Sequence, residues 1–180
     1  MPTTTGFRRR RGAVVVFVHE REAPVLAGLL EQLVELVAPD SPPDDDPLAA
    51  MVGIGTATRA PADPVLARLF PDAYPDDADA AGEFRRYTET GLRQTKQAAA
   101  LAALATLADP GRDRVLTTDE ALAWLTALTD LRLALGTRLD VEEDWVEQFG
   151  RLPDDHPTRF WLEVYDWLSH LQEQLVRCLG

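Results

Sequence analysis

The chain has 180 residues, of which 30 are acidic and 18 are basic, so its formal net charge at neutral pH is −12. Its hydrophobic content of 46% is typical of a globular protein and excludes a disordered chain. The acidic excess argues against a general DNA-coating protein, which would carry a basic surface, and no apolar run reaches the roughly 20 residues of a membrane span.

A β-hairpin is predicted over residues 7–18. Residues 13–18 are β-branched and aromatic, which is typical of a strand, and Gly12 separates them from residues 7–11. Because an isolated hairpin is marginally stable in water, we expect it to pack against helices or to pair with another chain. Its charge indicates an exposed edge strand, since it carries four consecutive arginines: Arg8, Arg9, Arg10 and Arg11.

Four main helices are predicted from the spacing of apolar residues. Leucines recur at three- and four-residue steps over residues 22–38, and similar stripes predict helices over 79–108, 117–139 and 158–179. The stripe of the last helix is close to a heptad and includes Trp161. This helix also carries more aromatic residues than one core stripe needs, so we predict a homodimer that uses it.

Residues 39–79 differ from the rest of the chain and form a predicted acidic, loop-rich excursion. From Asp40 onward they include nine aspartates, two arginines and seven prolines. Proline directly after aspartate predicts short helices that begin at Pro47 and Pro64. The predicted fold is therefore mainly α: one domain over residues 1–180, built as a bundle of about four main helices with an N-terminal β-hairpin and this excursion.

The sequence contains no pattern that indicates catalysis. It has no Ser–His–Asp or Cys–His arrangement, P-loop or dinucleotide fingerprint, so we predict no enzyme activity, no catalytic residue and no cofactor. Asp166 and His170 are four residues apart, a spacing that can bring two ligands to one metal ion. Because no second histidine or cysteine cluster completes such a site, we predict no metal and interpret the two residues as an ion pair on a solvated helix face.

Charged residues also occur inside a leucine-rich helix. Asp130, Arg132 and Arg138 surround Gly136 there, and such a pattern is typical of buried or half-buried ion pairs that help to set the register of helices. A binding site for an anion or for a partner is the alternative interpretation.

Two features are candidates for recognition and sensing. The four arginines of residues 8–11 are candidate nucleic-acid contacts, because clustered positive charges bind phosphates; the alternative is an exposed strand that offsets the acidic chain. Cys178 is a candidate redox residue that would form a disulfide between chains or with a small thiol, and the alternative is a small hydrophobic residue. As the only cysteine it cannot form an intrachain disulfide, which favours a cytoplasmic location.

Four runs of sequence carry a resemblance to a known family: DPLAAMVGI (46–54), DPVLARLFPDAYPDDADAAGEFRRYTE (63–89), WLTALTDLRLALGTRL (124–139) and VYDWLSHLQEQLVR (164–177). In these runs the chain resembles an actinobacterial family described as a domain of unknown function, with AosR-like oxidative-stress transcriptional regulators among its members. Its genes tend to lie beside those for the Clp protease adaptor and for cysteine biosynthesis. The resemblance implies a non-enzymatic cytoplasmic regulator in transcriptional or oxidative-stress control. The alternative is a protein-partner adaptor linked to Clp proteolysis, which would use the acidic excursion.

Overall fold

The computed structural model describes residues 4–39 and 58–180, and over these ranges the chain is mainly helical with a small antiparallel sheet. This confirms the predicted fold class. The strands are β1 (Gly6–Arg10), β2 (Ala13–Phe17) and β3 (Asp113–Leu116). The helices are α1 (Ala23–Leu36), α2 (Pro64–Leu69), α3 (Ala78–Ala105), α4 (Thr118–Arg138), α5 (Trp145–Arg151) and α6 (Pro157–Leu179). Within the described ranges, no helix is both long enough and apolar enough to span a membrane.

The predicted hairpin pairs with a third strand of its own chain. The sheet has the order β1-β2-β3, with Phe7 opposite Val16 and Val14 opposite Leu116. Its tight turn places Arg11 and Gly12 at φ values of 53° and 86°, the left-handed conformation that two-residue hairpin turns require. Because β3 supplies the partner strand, the hairpin needs no second chain to complete its pairing on that side.

Helix α4 lies at the centre of the bundle and packs against α1, α2, α3 and α6. Its Trp124 is 1% exposed, donates a hydrogen bond from Nε1 to Thr106 Oγ1 at 2.9 Å, and meets the ring of Phe7 edge-on at 5.4 Å. The helix begins at a capping box in which Thr117 and Glu120 bond to each other's backbone N–H groups. Trp124 thus joins the sheet to the helical core.

The described part of the acidic excursion packs against the bundle. Asp63 caps α2 by accepting hydrogen bonds from two backbone N–H groups, as the Asp–Pro sequence predicted. Val65 and Phe70 are buried, and a Cβ atom on Gly82 would lie only 2.6 Å from the carbonyl oxygen of Thr58. Residue 82 of α3 must therefore be glycine, because the backbone at Thr58 passes too close for a side chain. The short helix predicted from Pro47 lies outside the described residues.

The buried stripe of α6 differs from the prediction at its first turn. Leu168, Leu171 and Leu175 are almost fully buried, as predicted. Trp161, however, is 41% exposed, because Leu162 takes the buried position at this end of the helix. Trp161 instead lines the edge of a groove on the bundle surface.

Candidate functional site

A row of charged side chains is buried along one face of α3. Arg85, Glu89 and Arg93 follow one another at four-residue steps, and each is about as buried as the apolar core. Glu89 lies between the two arginines: one carboxylate oxygen accepts a hydrogen bond from Arg85 Nη1, and the other accepts one from Arg93 Nε at 2.9 Å. These residues were not predicted, because a charged helix face is ordinarily solvated; their spacing was the one signal available.

The described end of the acidic excursion completes this buried network. Arg85 Nη2 donates to the carbonyl oxygen of Phe70 at 3.0 Å and to Asp72 Oδ1 at 2.7 Å. The guanidinium carbon of Arg93 lies 4.5 Å from the centroid of the Phe70 ring. Burial alone would lower the pKa of Arg85, but its hydrogen bonds and ion pairs with Asp72 and Glu89 outweigh burial and raise that pKa. The network fastens the excursion to α3.

Asp130 is 1% exposed and pairs with Lys96, the only lysine in the sequence. Lys96 Nζ donates to Asp130 Oδ1 at 2.6 Å, whereas Oδ2 is buried and has no hydrogen-bond partner in the described part of the chain. Burial raises the pKa of the Asp130 carboxyl, and the hydrogen bond and charge of Lys96 oppose that rise. A buried ion pair therefore exists at Asp130, but its cation belongs to α3 rather than to α4.

The arginines predicted to form ion pairs within α4 have other surroundings. Asp130 and Arg132 are two residues apart and so do not face each other on a helix. Arg132 instead contacts neutral groups of α6: its Nε donates to Ser169 Oγ at 2.8 Å, and its Nη1 donates to Gln172 Oε1. Arg138 forms no ion pair with any residue in the described ranges and borders an apolar groove. The prediction of ion pairs at Arg132 and Arg138 is therefore wrong.

The groove beside Arg138 lies between α1, α4 and α6 and has a volume of about 350 Å³. Leucines of α1 and α4 line it, together with Gln32 and Trp161. The Trp161 ring also meets Phe160 edge-on at 5.2 Å, and both rings are exposed. These exposed rings belong to the helix for which we predicted a dimer contact, and the homodimer stays a prediction.

The four arginines of the hairpin do not act as one free positive patch. Arg8 and Arg10 both form ion pairs with Asp113 of β3, whose pKa is lowered chiefly by the hydrogen bond from Arg8. Arg9 and Arg11 have no carboxylate partner in the part of the chain that the structure describes. Of the four candidate nucleic-acid contacts, Arg8 and Arg10 are thus paired with a carboxylate, whereas, among the described residues, Arg9 and Arg11 are not.

Asp166 and His170 form the exposed pair predicted from their spacing. His170 Nδ1 lies 3.3 Å from Asp166 Oδ2 and 2.9 Å from the Asp166 carbonyl oxygen, and both side chains are well exposed. Among residues 4–39 and 58–180, no group of three or more histidine, cysteine, aspartate or glutamate side chains is placed to hold a metal ion.

Comparison with known proteins assigns the family. The family model of DUF2017, described as a domain of unknown function, matches residues 4–179. The chain belongs to the DUF2017 family. This match confirms the resemblance carried by the four sequence runs.

Relatives of this DUF2017 chain occur in mycobacteria. Proteins of Mycobacterium tuberculosis and Mycobacterium bovis, each named oxidative stress regulator AosR, are 38% identical over 173 residues, which cover 88% of this chain and 78% of theirs. A relative from Mycobacterium leprae is 36% identical over 167 residues, covering 86% of this chain and 75% of its own. No solved structure matches the chain significantly.

Cys178, the candidate redox residue of this DUF2017 chain, is buried near the end of α6. Cys178 is 8% exposed. Burial raises the pKa of its thiol, although the charge of Arg9 opposes the rise. Since the thiolate is the reactive form, burial lowers both its accessibility and its reactivity. The position fits the alternative interpretation of Cys178 as a small hydrophobic core residue.

We expect the Cys178 thiol of the folded protein to react with Ellman's reagent at neutral pH at least about ten-fold more slowly than in the urea-unfolded chain. The measurement is the absorbance time course of the released thiolate. A matched control is the Val176→Cys variant in a Cys178→Ser background, because Val176 is exposed on the same helix and its cysteine should react rapidly. Equal rates for Cys178 and the control cysteine would contradict the expectation.

Proposed function

We propose that this protein is a non-enzymatic, cytoplasmic regulator of the oxidative-stress response. The observation that carries the proposal is the 38% identity, over 88% of the chain, to proteins named oxidative stress regulator. The family model matches residues 4–179 and so covers the helices and the sheet alike. A regulator of this kind acts by binding, so its surfaces rather than an enclosed catalytic centre carry the function.

Deletion of the gene in its own host tests this proposal. We expect the deletion strain to survive hydrogen peroxide less well than the parent, and to show altered transcript levels of oxidative-stress genes. Reintroduction of the gene should restore both properties. Peroxide survival and transcript levels equal to those of the parent would contradict the proposed role.

The transcriptional form of the proposal requires a contact with DNA, and the hairpin is its best-supported site. Arg9 and Arg11 have no described carboxylate partner and can contact phosphates without first breaking an ion pair. Arg8 and Arg10 must leave Asp113 before they can do so. The two pairs of arginines should therefore contribute unequally.

We expect the Arg9→Ala/Arg11→Ala variant to bind duplex DNA about ten-fold more weakly than the parent protein, with a shallower dependence on salt concentration. Electrophoretic mobility shifts across a salt series measure both quantities. The Asp113→Asn variant should bind more tightly, because it releases Arg8 and Arg10. Affinity that is unchanged in both variants would remove the hairpin from the proposal and leave a protein partner as the target of regulation.

A further inference from the structure

A second concave surface lies between α2, α4 and α6, apart from the apolar groove and from the hairpin. It is a cavity of about 300 Å³ whose polar lining comes from Arg68, Arg132, Thr137, Asp140 and Tyr165. Gly136 forms part of its wall, where a Cβ atom would lie 3.2 Å from the Tyr165 ring. The absence of a side chain at Gly136 therefore leaves room for the ring beside the cavity.

Arg132 is held in place at this cavity before any ligand arrives. Its Nε and Nη1 groups donate to Ser169 and Gln172, and its guanidinium carbon lies 5.5 Å from the centroid of the Tyr165 ring. Gln172 is itself fixed by a hydrogen bond from its Nε2 to Thr129 Oγ1 at 2.7 Å. These contacts leave the second terminal nitrogen, Nη2, without a hydrogen-bond partner among the described residues. A guanidinium that is held in position and keeps one N–H group available can donate hydrogen bonds to a carboxylate or phosphate.

The charge on this guanidinium has no carboxylate partner among the described residues. The buried cations of α3 each have a carboxylate: Arg85 and Arg93 share Glu89, and Lys96 has Asp130. Neither Arg132 nor Arg68 forms an ion pair with any residue in the described ranges, although Asp140 lines the same cavity. Two arginines thus line one concave surface without an ion pair among the described residues, and Asp140 is the one carboxylate among the lining residues.

We propose that this cavity binds a compact anion whose carboxylate or phosphate group lies between Arg132 and Arg68. The volume of the cavity limits the ligand to a small metabolite. Asp140 would repel additional negative charge, so it favours a ligand that carries a hydroxyl or ammonium group beside its anionic group. The site is independent of the hairpin arginines and of the groove beside Arg138.

Binding of two probes, inorganic phosphate and the hydroxy acid lactate, tests the site by isothermal titration at constant ionic strength. We expect at least one probe to bind saturably to the parent protein. Arg68→Ala should weaken binding about ten-fold, and because Arg68 is exposed this variant should fold normally. Arg86→Ala is the matched control: Arg86 is also exposed and forms no ion pair in the described residues, but it does not line the cavity.

A third variant makes the expected result specific to this cavity. Asp140 has a φ of 53°, a conformation that asparagine tolerates, so Asp140→Asn should keep the fold while removing the nearby negative charge. It should tighten binding of the probe by about three-fold. The proposal is overturned if neither probe binds saturably up to about 10 mM, or if Arg68→Ala and Arg86→Ala weaken binding equally.

Discussion

The Glu89→Ala variant is expected to lose about 3–5 kcal/mol of unfolding free energy, because it leaves two buried guanidinium groups without the carboxylate they share. Arg85 would keep Asp72, which is more exposed, and Arg93 would keep only the Phe70 ring and backbone contacts. Since most single substitutions cost less than 3 kcal/mol, a loss of this size would identify the network as a main support of α3. Urea unfolding, followed by circular dichroism, measures it.

Glu83→Ala provides the matched control for this variant. Glu83 belongs to the same helix but is exposed, so the same chemical change should alter the unfolding free energy by less than about 0.5 kcal/mol. A Glu89→Ala loss as small as that of Glu83→Ala would show that the buried network contributes nothing to stability. Urea is used because guanidinium chloride would screen the charges under test.

The second large effect is expected at Lys96, where replacement by methionine should cost about 3–5 kcal/mol at neutral pH. The variant removes the cation that pairs with Asp130, whose second carboxyl oxygen is buried and has no hydrogen-bond partner among the described residues. Burial already raises the pKa of Asp130, and without Lys96 that pKa should rise further. The folded state of the variant would therefore hold a protonated Asp130.

The sign of the pH dependence follows from the direction of this pKa change. A carboxyl whose pKa is higher in the folded state than in the unfolded state stabilises the fold below the unfolded pKa, about 3.9, and loses that contribution as the pH rises. The difference in stability between Lys96→Met and the parent should thus be small near pH 4 and should grow toward neutral pH. Urea midpoints measured at several pH values test this expectation.

The double variant Lys96→Met/Asp130→Asn separates charge from packing. It removes the titrating carboxyl, so the additional pH dependence should disappear and part of the lost stability should return. A Lys96→Met variant whose stability difference from the parent is the same at every pH would show that Lys96 acts through its aliphatic stem rather than through its charge.

Much of the fold could be predicted because local patterns determine it. The apolar spacing of residues 22–38 and the β-branched run before Val18 each specify one kind of element, and the Asp–Pro cap at Asp63 specifies where a helix begins. Strand β3 was harder to predict, because most of its side chains are exposed and only Leu116 is buried. It becomes a strand through pairing with β2, which is distant in sequence.

The buried charges could not be predicted from the same patterns. Arg85, Glu89 and Arg93 have the spacing of a solvated helix face, but Phe70 and Ala38, which are distant in sequence, pack over that face. Likewise, the partner of Asp130 is on another helix, and no local pattern relates the two residues. Tertiary contacts between distant segments determine both sites, so a single sequence indicates their residue types without indicating their partners.

The pairing of Phe17 with Asp113 has a consequence during synthesis of the chain. The hairpin emerges from the ribosome before β3 is synthesised. The edge of β2 that pairs with β3 therefore has no partner strand while α1, α2 and α3 are made. A short apolar strand in this state is a site for aggregation with other nascent chains. The positive charges of the arginines in β1 oppose such aggregation, so we expect these residues to protect the chain before it has finished folding.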